Sequence, residues 1–195
     1  SLENINNFIH KKLNFLKNPI SKFKPKDVIL YGFGRIGRIL ARELMSQKGK
    51  GEQLRLRVIV LRNIDDESII KRASLLRTDS VHGKFTGTVN TDLVNKALII
   101  NGHSIKLIKV LNPEEVDYTK YKVNNSLLID NTGVYRDKEE LSKHLKAKGV
   151  SKVLLTAPGN GIPNIVFGVN HLEYNLKSND IFSAASCTTN AIIPI

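Results

Sequence analysis

The chain has 195 residues, 41% hydrophobic and 25% charged, which is the composition of a globular protein with enough chain to bury a core. It has no apolar run of the roughly 18–20 residues that cross a bilayer and no signal-peptide pattern at its start, so we expect no membrane attachment. Its single cysteine, Cys187, excludes an internal disulfide and predicts a reducing, cytoplasmic location.

The net charge of +12 is concentrated in the first third of the chain, where 14 basic and only 4 acidic residues occur up to Arg62. Such an excess invites a nucleic-acid interpretation. The early lysines, however, alternate with apolar residues that share one helical face, namely Leu2, Ile5, Ile9, Leu13 and Leu16. We therefore interpret residues 1–25 as a helical extension followed by a linker, and nucleic acid is not favoured as a partner.

A glycine motif follows the first predicted strand. The apolar run Asp27–Tyr31 leads into GFGRIG at 32–37, after which apolar residues recur at helical spacing. This order of strand, G-x-G-x-x-G turn and helix is the context of a dinucleotide site. The first glycine permits the tight turn, the second lets the backbone approach a pyrophosphate, and the third allows the helix to pack closely on the strand.

The second predicted strand, residues 54–61, ends at Arg62 and is followed by Asp65 and Asp66. An acid at this strand end binds the adenosine ribose of NAD, whereas a nearby arginine receives the 2′-phosphate of NADP. The sequence offers both residue types and leaves NAD and NADP open. Asp65 and Asp66 are also candidates for the N-cap of a helix predicted over Ser68–Leu76.

The rest of the chain alternates strands and helices. An Asn101-Gly102 turn predicts a hairpin over residues 97–110. Strands are predicted at 127–129 and 153–156, with a helix from Asp137 to Lys148 between them. This order predicts an α/β fold, a Rossmann-like, doubly wound, mostly parallel sheet with a small antiparallel hairpin insertion.

The last segment places Cys187 between an apolar run at 180–184 and a predicted helix start. A thiol there meets the positive end of the helix, which is a setting of reactive cysteines, whereas a lone cysteine is otherwise often an inert core residue. Because Cys187, Arg62 and the glycine turn all follow strand ends, we expect one edge of the sheet to collect them.

Five motifs together resemble phosphorylating glyceraldehyde-3-phosphate dehydrogenase. They occur in the family's order and rough spacing: YGFGRIGR at 31–38, DSVHG at 79–83, NTGVY at 131–135, TAP at 156–158 and ASCTTN at 185–190. The resemblance begins near Val28, and residues 1–25 look like the extension of a longer subgroup. It implies a dinucleotide-binding domain over 26–186 and the start of a catalytic domain at 187–195.

The resemblance also implies site residues. Cys187 would be the catalytic nucleophile: its thiolate would add to the carbon of an aldehyde phosphate, a hydride would pass to the nicotinamide to leave a thioester, and inorganic phosphate would then take the acyl group. Ser186 and Thr188 would contact the attacking phosphate or the substrate phosphate. The residues implied to bind NAD, or NADP, are Gly32, Phe33, Gly34, Arg35, Ile36, Gly37, Arg62, Asp65, Arg77, Thr132, Gly133, Thr156 and Ala157. No metal is implied.

Some features depart from the family's pattern or leave alternatives open. Ile64 stands where an ungapped comparison expects the ribose-binding aspartate. The family's catalytic histidine is expected beyond Ile195, so we expect the isolated chain to be inactive, and the parent enzyme to be a homotetramer. The alternatives are an erythrose-4-phosphate or related aldehyde-phosphate dehydrogenase, and a non-enzymatic module that binds nucleotides or RNA.

Overall fold

The computed structural model of the protein describes residues 5, 7, 8, 24–47, 53–175 and 177–195. The predicted helical extension at residues 1–25 therefore lies almost entirely outside the described residues. Over the described ranges, no helix has the length and apolar character needed to cross a bilayer.

The described residues include ten strands. In chain order they are β1 (Lys26–Tyr31), β2 (Leu54–Leu61), β3 (Thr78–Asp79), β4 (Gly83–Lys84), β5 (Val89–Asp92), β6 (Ala97–Ile100), β7 (His103–Lys109), β8 (Ser126–Asp130), β9 (Val150–Leu155) and β10 (Ile181–Ser183). Eight of them form one sheet in the order β10-β9-β8-β1-β2-β7-β6-β5, and β3 pairs with β4 alone. All neighbours from β10 to β7 are parallel. The predicted α/β fold is confirmed.

Helices cover both faces of the sheet. The covering helices are α1 (Arg35–Ser46), α2 (Asp66–Arg77) and α3 (Lys138–Lys146), with two short 3-10 turns between β7 and β8. A fourth helix, α4 (Cys187–Ile192), follows β10 and buries none of its residues. Side chains of β1 alternate between two cores: Val28 and Leu30 pack with α1 and α2, while Ile29 and Tyr31 pack with α3. A strand buried on both faces explains why β1 is a continuous apolar run.

The predicted hairpin is present and lengthens the main sheet. Asn101 and Gly102 take positive φ angles of 49° and 80°, as a two-residue hairpin turn requires. The hairpin strands β6 and β7 pair antiparallel, and β7 then pairs in parallel with β2. The end of β7 therefore reaches the same edge of the sheet as the end of β2.

The outer edge of β10 is covered by the segment 163–165. The backbone N–H of Ser183 donates to the carbonyl of Pro163, and its carbonyl accepts from the N–H of Ile165, both at 2.8 Å. The side chain of Asn164 also donates to the carbonyls of Gly159 and Ile162. This segment satisfies backbone groups that an edge strand otherwise presents to solvent.

Candidate functional site

The carboxyl ends of five neighbouring parallel strands meet at one edge of the sheet. Each end is followed by one of the predicted site residues. Across the sheet from β2 through β1, β8 and β9 to β10, these are Arg62, Gly32, Thr132, Thr156 and Cys187. Neighbouring strands are about 4.8 Å apart, so these residues form a row along the edge. Ligands of open α/β sheets bind at this edge, in the crevice outside the strand ends.

The three glycines of the turn have three different surroundings. Gly32 has a φ of 94°, and a Cβ there would lie 3.0 Å from Cγ2 of Thr132. A Cβ at Gly37 would lie 2.6 Å from the carbonyl oxygen of Gly32, so the helix packs there without room for a side chain. A Cβ at Gly34 would meet nothing within 4 Å. The first and third glycines therefore serve the fold, and the second leaves open space above the turn.

The start of α1 is unoccupied by protein side chains within the described residues. Gly34 is its N-cap and makes no side-chain hydrogen bond, and the first turn has no acidic residue. In contrast, the start of α2 is capped by Asp65 and carries Asp66 and Glu67 in its first turn. The backbone N–H groups of α1 thus point at open space, which is the arrangement that binds phosphate at a helix N-terminus.

A cavity of about 480 Å³ lies over this turn. Five of the residues predicted to bind the cofactor line it, namely Gly32, Phe33, Gly34, Arg62 and Thr132. The cavity, the free helix start and the open space at Gly34 together fit a dinucleotide laid across the strand ends.

The floor of this cavity is held by a hydrogen-bond chain. One carboxylate oxygen of Asp130, Oδ1, accepts from both the N–H and the hydroxyl of Thr132 at 2.7 Å. The other oxygen, Oδ2, lies 3.0 Å from Nε2 of His144. Both Asp130 and His144 are fully buried, at 0% exposure. The turn after β8 is therefore fixed from below by a buried pair.

Two predicted cofactor residues have other roles in the structure. The Asp65 carboxylate accepts from the N–H of Ser68 at 2.7 Å and caps α2, and it borders a second cavity of about 340 Å³. The Arg77 guanidinium donates twice to the carbonyl of Val89, at 2.9 and 2.7 Å. Arg77 thus ties α2 to β5, and it does not line the larger cavity.

Five other predicted residues do not line the larger cavity, namely Arg35, Ile36, Gly133, Thr156 and Ala157. Arg35 donates to the hydroxyl of Ser80 at 3.3 Å, and Ile36 is exposed. Gly133 accepts from Arg136 at 3.0 Å. The hydroxyl of Thr156 donates to the Asp130 carbonyl at 3.0 Å, and the carbonyl of Ala157 accepts from Ser183 at 2.6 Å.

Sequence reasoning missed several lining residues. They are Val110 and Leu111 after β7, Asn131, Val134 and Tyr135 after β8, and Arg72 on α2. Arg72 carried a signal: α2 buries Ile69, Ala73 and Leu76, and position 72 lies on that same helical face. Burial of a charged side chain on an apolar helical face costs free energy unless a protein group or a ligand pairs with the charge.

Burial disfavours the charge of the arginines around the turn. Burial lowers the pKa of Arg72, and the neighbouring Arg38 lowers it further. Burial also lowers the pKa of Arg38, which Asp79 partly offsets from 3.8 Å. The Nε atoms of both arginines are buried without a hydrogen-bond partner in the described part of the chain. Near the turn, positive charge therefore exceeds its protein counter-charge.

Cys187 is exposed at the first position of α4, so it is not an inert core residue in the described structure. The helix is capped by Ser186, whose hydroxyl oxygen accepts from the N–H of Thr189 at 2.9 Å. The Asn190 side chain donates to the carbonyls of Ala184 and Ser186, at 2.7 and 2.8 Å, and so supports the turn. Thr188 is exposed beside the thiol.

No group of three His, Cys, Asp or Glu side chains suited to a metal ion occurs in the part of the chain that the structure describes. The groups present at the sheet edge are a thiol, the hydroxyls of the two residues beside it, and backbone N–H and guanidinium groups near the glycine turn.

Comparison with known proteins adds the family. The sequence matches a family profile described as "Glyceraldehyde 3-phosphate dehydrogenase, NAD binding domain" over residues 26–138. This match covers more than half of the chain and includes the glycine turn, β2, α2 and the turn after β8.

Individual relatives agree with the profile. A glyceraldehyde-3-phosphate dehydrogenase-like protein of Pseudomonas aeruginosa is 54% identical over 170 residues, which cover 87% of this chain and 37% of the relative. Glyceraldehyde-3-phosphate dehydrogenase 2 of Nostoc sp. is 37% identical over 171 residues, covering 86% and 47%. Glyceraldehyde-3-phosphate dehydrogenase of Bacteroides fragilis is 36% identical over 165 residues, covering 84% and 46%. The chain thus spans less than half the length of these relatives.

Proposed function

Since this chain belongs to the glyceraldehyde 3-phosphate dehydrogenase family through its NAD-binding domain, we propose that it is the cofactor-binding part of a phosphorylating glyceraldehyde-3-phosphate dehydrogenase. The proposed reaction oxidises the aldehyde of glyceraldehyde 3-phosphate and transfers the acyl group to inorganic phosphate, a step of glycolysis and gluconeogenesis. Residues 26–186 form the proposed cofactor domain, and residues 187–195 begin the proposed catalytic domain.

One observation carries this proposal: the glycine turn and Cys187 follow parallel strands of the same sheet, β1 and β10, with β8 and β9 between them. A dinucleotide whose pyrophosphate lies on the start of α1 extends along this edge in two directions. Its adenosine end then points toward β2 and its nicotinamide end toward β8, β9 and the thiol. The order of strands therefore supports a redox cofactor placed beside a nucleophile.

The residues of the turn would bind the cofactor in distinct ways. The free N–H groups at the start of α1 would hold the pyrophosphate, and the open space at Gly34 lets it approach the backbone. Thr132, fixed by Asp130, would border the nicotinamide ribose. Thr156 and Ala157 would border the cofactor at the end of β9.

Cys187 would act as the nucleophile. Its thiolate adds to the aldehyde carbon and forms a thiohemiacetal on sulfur. After that carbon loses a hydride, the same sulfur carries a thioester; an oxygen of inorganic phosphate then bonds to the acyl carbon, the carbon–sulfur bond breaks, and an acyl phosphate and the thiolate are released. NAD supplies, when bound, the acceptor for the hydride.

The neighbours of the thiol support the acyl chemistry. The backbone N–H of Cys187, at the first position of α4, would stabilise negative charge on the substrate oxygen. The Thr188 hydroxyl makes no hydrogen bond within the described residues and is free to donate to a phosphate. The Ser186 hydroxyl is shared with Thr189, so its contribution to phosphate binding would be through the turn that it fixes.

Alkylation of Cys187 by iodoacetamide tests whether the cofactor and the thiol share one site. We expect NAD to change the alkylation rate, because its nicotinamide would lie beside the sulfur. ADP-ribose, which occupies the same adenosine and pyrophosphate positions but lacks nicotinamide, is the matched control and is expected to leave the rate unchanged.

Calorimetry on the same samples shows whether each ligand is bound. If NAD binds and the alkylation rate stays unchanged, Cys187 is not beside the nicotinamide and the proposal is wrong. If NAD does not bind at all, the assignment of the glycine turn as a functional dinucleotide site fails.

The cellular setting and assembly complete the proposal. The single, exposed thiol of Cys187 supports a reducing, cytoplasmic location. The partners would be the aldehyde phosphate and inorganic phosphate, and the active enzyme would be a homotetramer by resemblance to its family. Light scattering on the active enzyme tests the last point.

A further inference from the structure

We propose that the adenosine end of this site binds the 2′-phosphate of NADP through Arg62 and Arg72, so that the chain binds NADP at least as tightly as NAD. This inference rests on the proposed function, because it places the adenosine end of a dinucleotide at the tip of β2. The inference concerns the 2′ substituent of the adenosine ribose and leaves the proposed chemistry at Cys187 unchanged.

Arg62, a cation, stands at the tip of β2, where NAD sites commonly have an acidic residue. Arg62 directly follows β2 and lines the 480 Å³ cavity. It is exposed and makes no hydrogen bond or ion pair within the described residues. No carboxylate lines that cavity. An acid at this position would accept from the ribose hydroxyls, whereas a guanidinium donates to a phosphate in a fork geometry.

Arg72 lies where the two cavities adjoin. It is the one lining residue that the 480 Å³ cavity shares with the 340 Å³ cavity at the start of α2. One of its terminal nitrogens donates to the carbonyl of Phe33 at 3.2 Å, which holds the guanidinium against the glycine turn. The side chain is therefore fixed between the proposed pyrophosphate position and the tip of β2.

Arg72 also lacks a counter-charge. Its Nε is buried without a hydrogen-bond partner, and no carboxylate forms an ion pair with it in the described part of the chain. Its charged neighbour on α1 is another cation, Arg38, whose own counter-charge is Asp79. A partly buried cation with a cationic neighbour gains from an anion placed beside it, and a ribose phosphate is such an anion.

The competing acid near the β2 tip is already engaged. Asp65 caps α2 through the N–H of Ser68 and accepts from the side chain of Asn63. It borders the second cavity together with Glu67 and Lys71. If Asp65 were instead to bind the ribose hydroxyls, the site would favour NAD, and the two arginines would be irrelevant to the choice. The two assignments therefore predict opposite effects of substitutions at these positions.

Binding of NAD and NADP to the 195-residue chain, measured by calorimetry, distinguishes them. We expect Arg72→Gln and Arg62→Gln each to lower the ratio of NADP affinity to NAD affinity by about tenfold or more, because a charge-assisted hydrogen bond to the 2′-phosphate is lost. Lys146→Gln removes one exposed positive charge from α3, away from both cavities, and is expected to change neither. Circular dichroism confirms that each variant folds.

A second probe isolates the phosphate. Adenosine 2′,5′-bisphosphate is expected to bind more tightly than 5′-AMP, with a difference that shrinks as salt rises and is lost in Arg72→Gln. If NAD binds and NADP binds at least tenfold more weakly, with no effect of either arginine substitution, this inference is wrong and the proposed function stands. If neither dinucleotide binds, both fail.

Discussion

Nε2 of His144 lies 3.0 Å from Oδ2 of Asp130, and both side chains are completely removed from solvent. Because a carboxylate only accepts hydrogen bonds, the imidazole donates from Nε2, which leaves Nδ1 buried without a partner in the described residues. The rings of Tyr31 and Tyr135 pack edge-on against the imidazole, with centroids 4.6 and 5.1 Å away. A polar pair is thus enclosed by aromatic rings directly under the proposed nicotinamide-ribose position.

Replacing His144 is expected to weaken both the fold and cofactor binding. In His144→Ala the buried Asp130 carboxylate loses its partner, which costs about 3 kcal/mol of unfolding free energy, and Thr132 loses its fixed acceptor. Urea denaturation measures the first effect, and NAD binding measured well below the urea transition shows the second. Lys146→Gln, on the same helix but exposed, is the control. Unchanged NAD affinity in a folded His144→Ala would show that the pair does not position Thr132.

Substitutions at Gly34 and Gly37 are expected to affect different properties, NAD affinity at Gly34 and stability at Gly37. Gly34→Ala has space for its Cβ and a negative φ of −73°, so the chain keeps most of its stability, but the methyl group obstructs the pyrophosphate and lowers NAD affinity. Gly37→Ala places its Cβ 2.6 Å from the Gly32 carbonyl and is expected to cost about 2 kcal/mol of stability. Paired denaturation and NAD titration measure both. A stable Gly37→Ala that binds NAD normally contradicts the packing argument.

Tyr118→Phe is expected to increase stability. Tyr118 is fully buried, its hydroxyl has no hydrogen-bond partner in the described part of the chain, and burial raises the pKa of the phenol so that it stays neutral. Removing an unsatisfied buried hydroxyl is expected to raise the unfolding free energy by about 1 kcal/mol. Thermal and urea denaturation test this, and a loss of stability would reveal a partner for the hydroxyl.

Stability is expected to fall at acid pH through Asp79. The backbone and ring nitrogens of His82, together with the N–H of Val81, hydrogen-bond this carboxylate and hold its pKa well below the usual range. A depressed pKa contributes stability at pH values above the ordinary aspartate pKa of about 3.9, and that contribution disappears as pH falls toward the lowered value. Urea midpoints of the wild type and Asp79→Asn, measured from pH 7 downward, are expected to converge. A constant difference across that range argues against this linkage.

The 195-residue chain is expected to bind NAD without turnover. No described histidine hydrogen-bonds to Cys187: His82 is bound to Asp79, His144 to Asp130, His171 accepts from the N–H of Gly168, and His103 begins β7. Within the described residues the thiol therefore has no histidine base of the kind that nucleophilic cysteines use. Reduction of NAD is followed at 340 nm with glyceraldehyde 3-phosphate and phosphate. Phosphate-dependent turnover that is lost in Cys187→Ser would contradict this expectation.

The local parts of the fold could be predicted because local chemistry determines them. The glycine turn depends on the positive φ of Gly32. The hairpin depends on the positive φ angles of Asn101 and Gly102. The helix α3 begins after Asp137, whose carboxylate accepts from the N–H of Glu140. Each of these signals lies within a few residues of the feature that it determines. Apolar residues that alternate with polar ones, or that run continuously, then predict the strands and how deeply they are buried.

The rest depended on contacts between distant residues. Val110 and Leu111 reach the cavity because β7 pairs with β2, a neighbour relationship that no local pattern specifies. Arg72 reaches it because α2 packs beside the glycine turn. Arg77, which the resemblance implies for cofactor binding, donates to the carbonyl of Val89, a partner that depends on where β5 lies. Tertiary packing decides such side-chain partners.

The covered edge of β10 bears on how the protein behaves when concentrated. With the backbone of Ser183 bonded on its outer side to Pro163 and Ile165, the sheet does not offer this strand as a template for a strand from another molecule. The exposed thiol at the start of α4 can thus stay accessible to small molecules at a sheet end that resists strand-by-strand association between molecules.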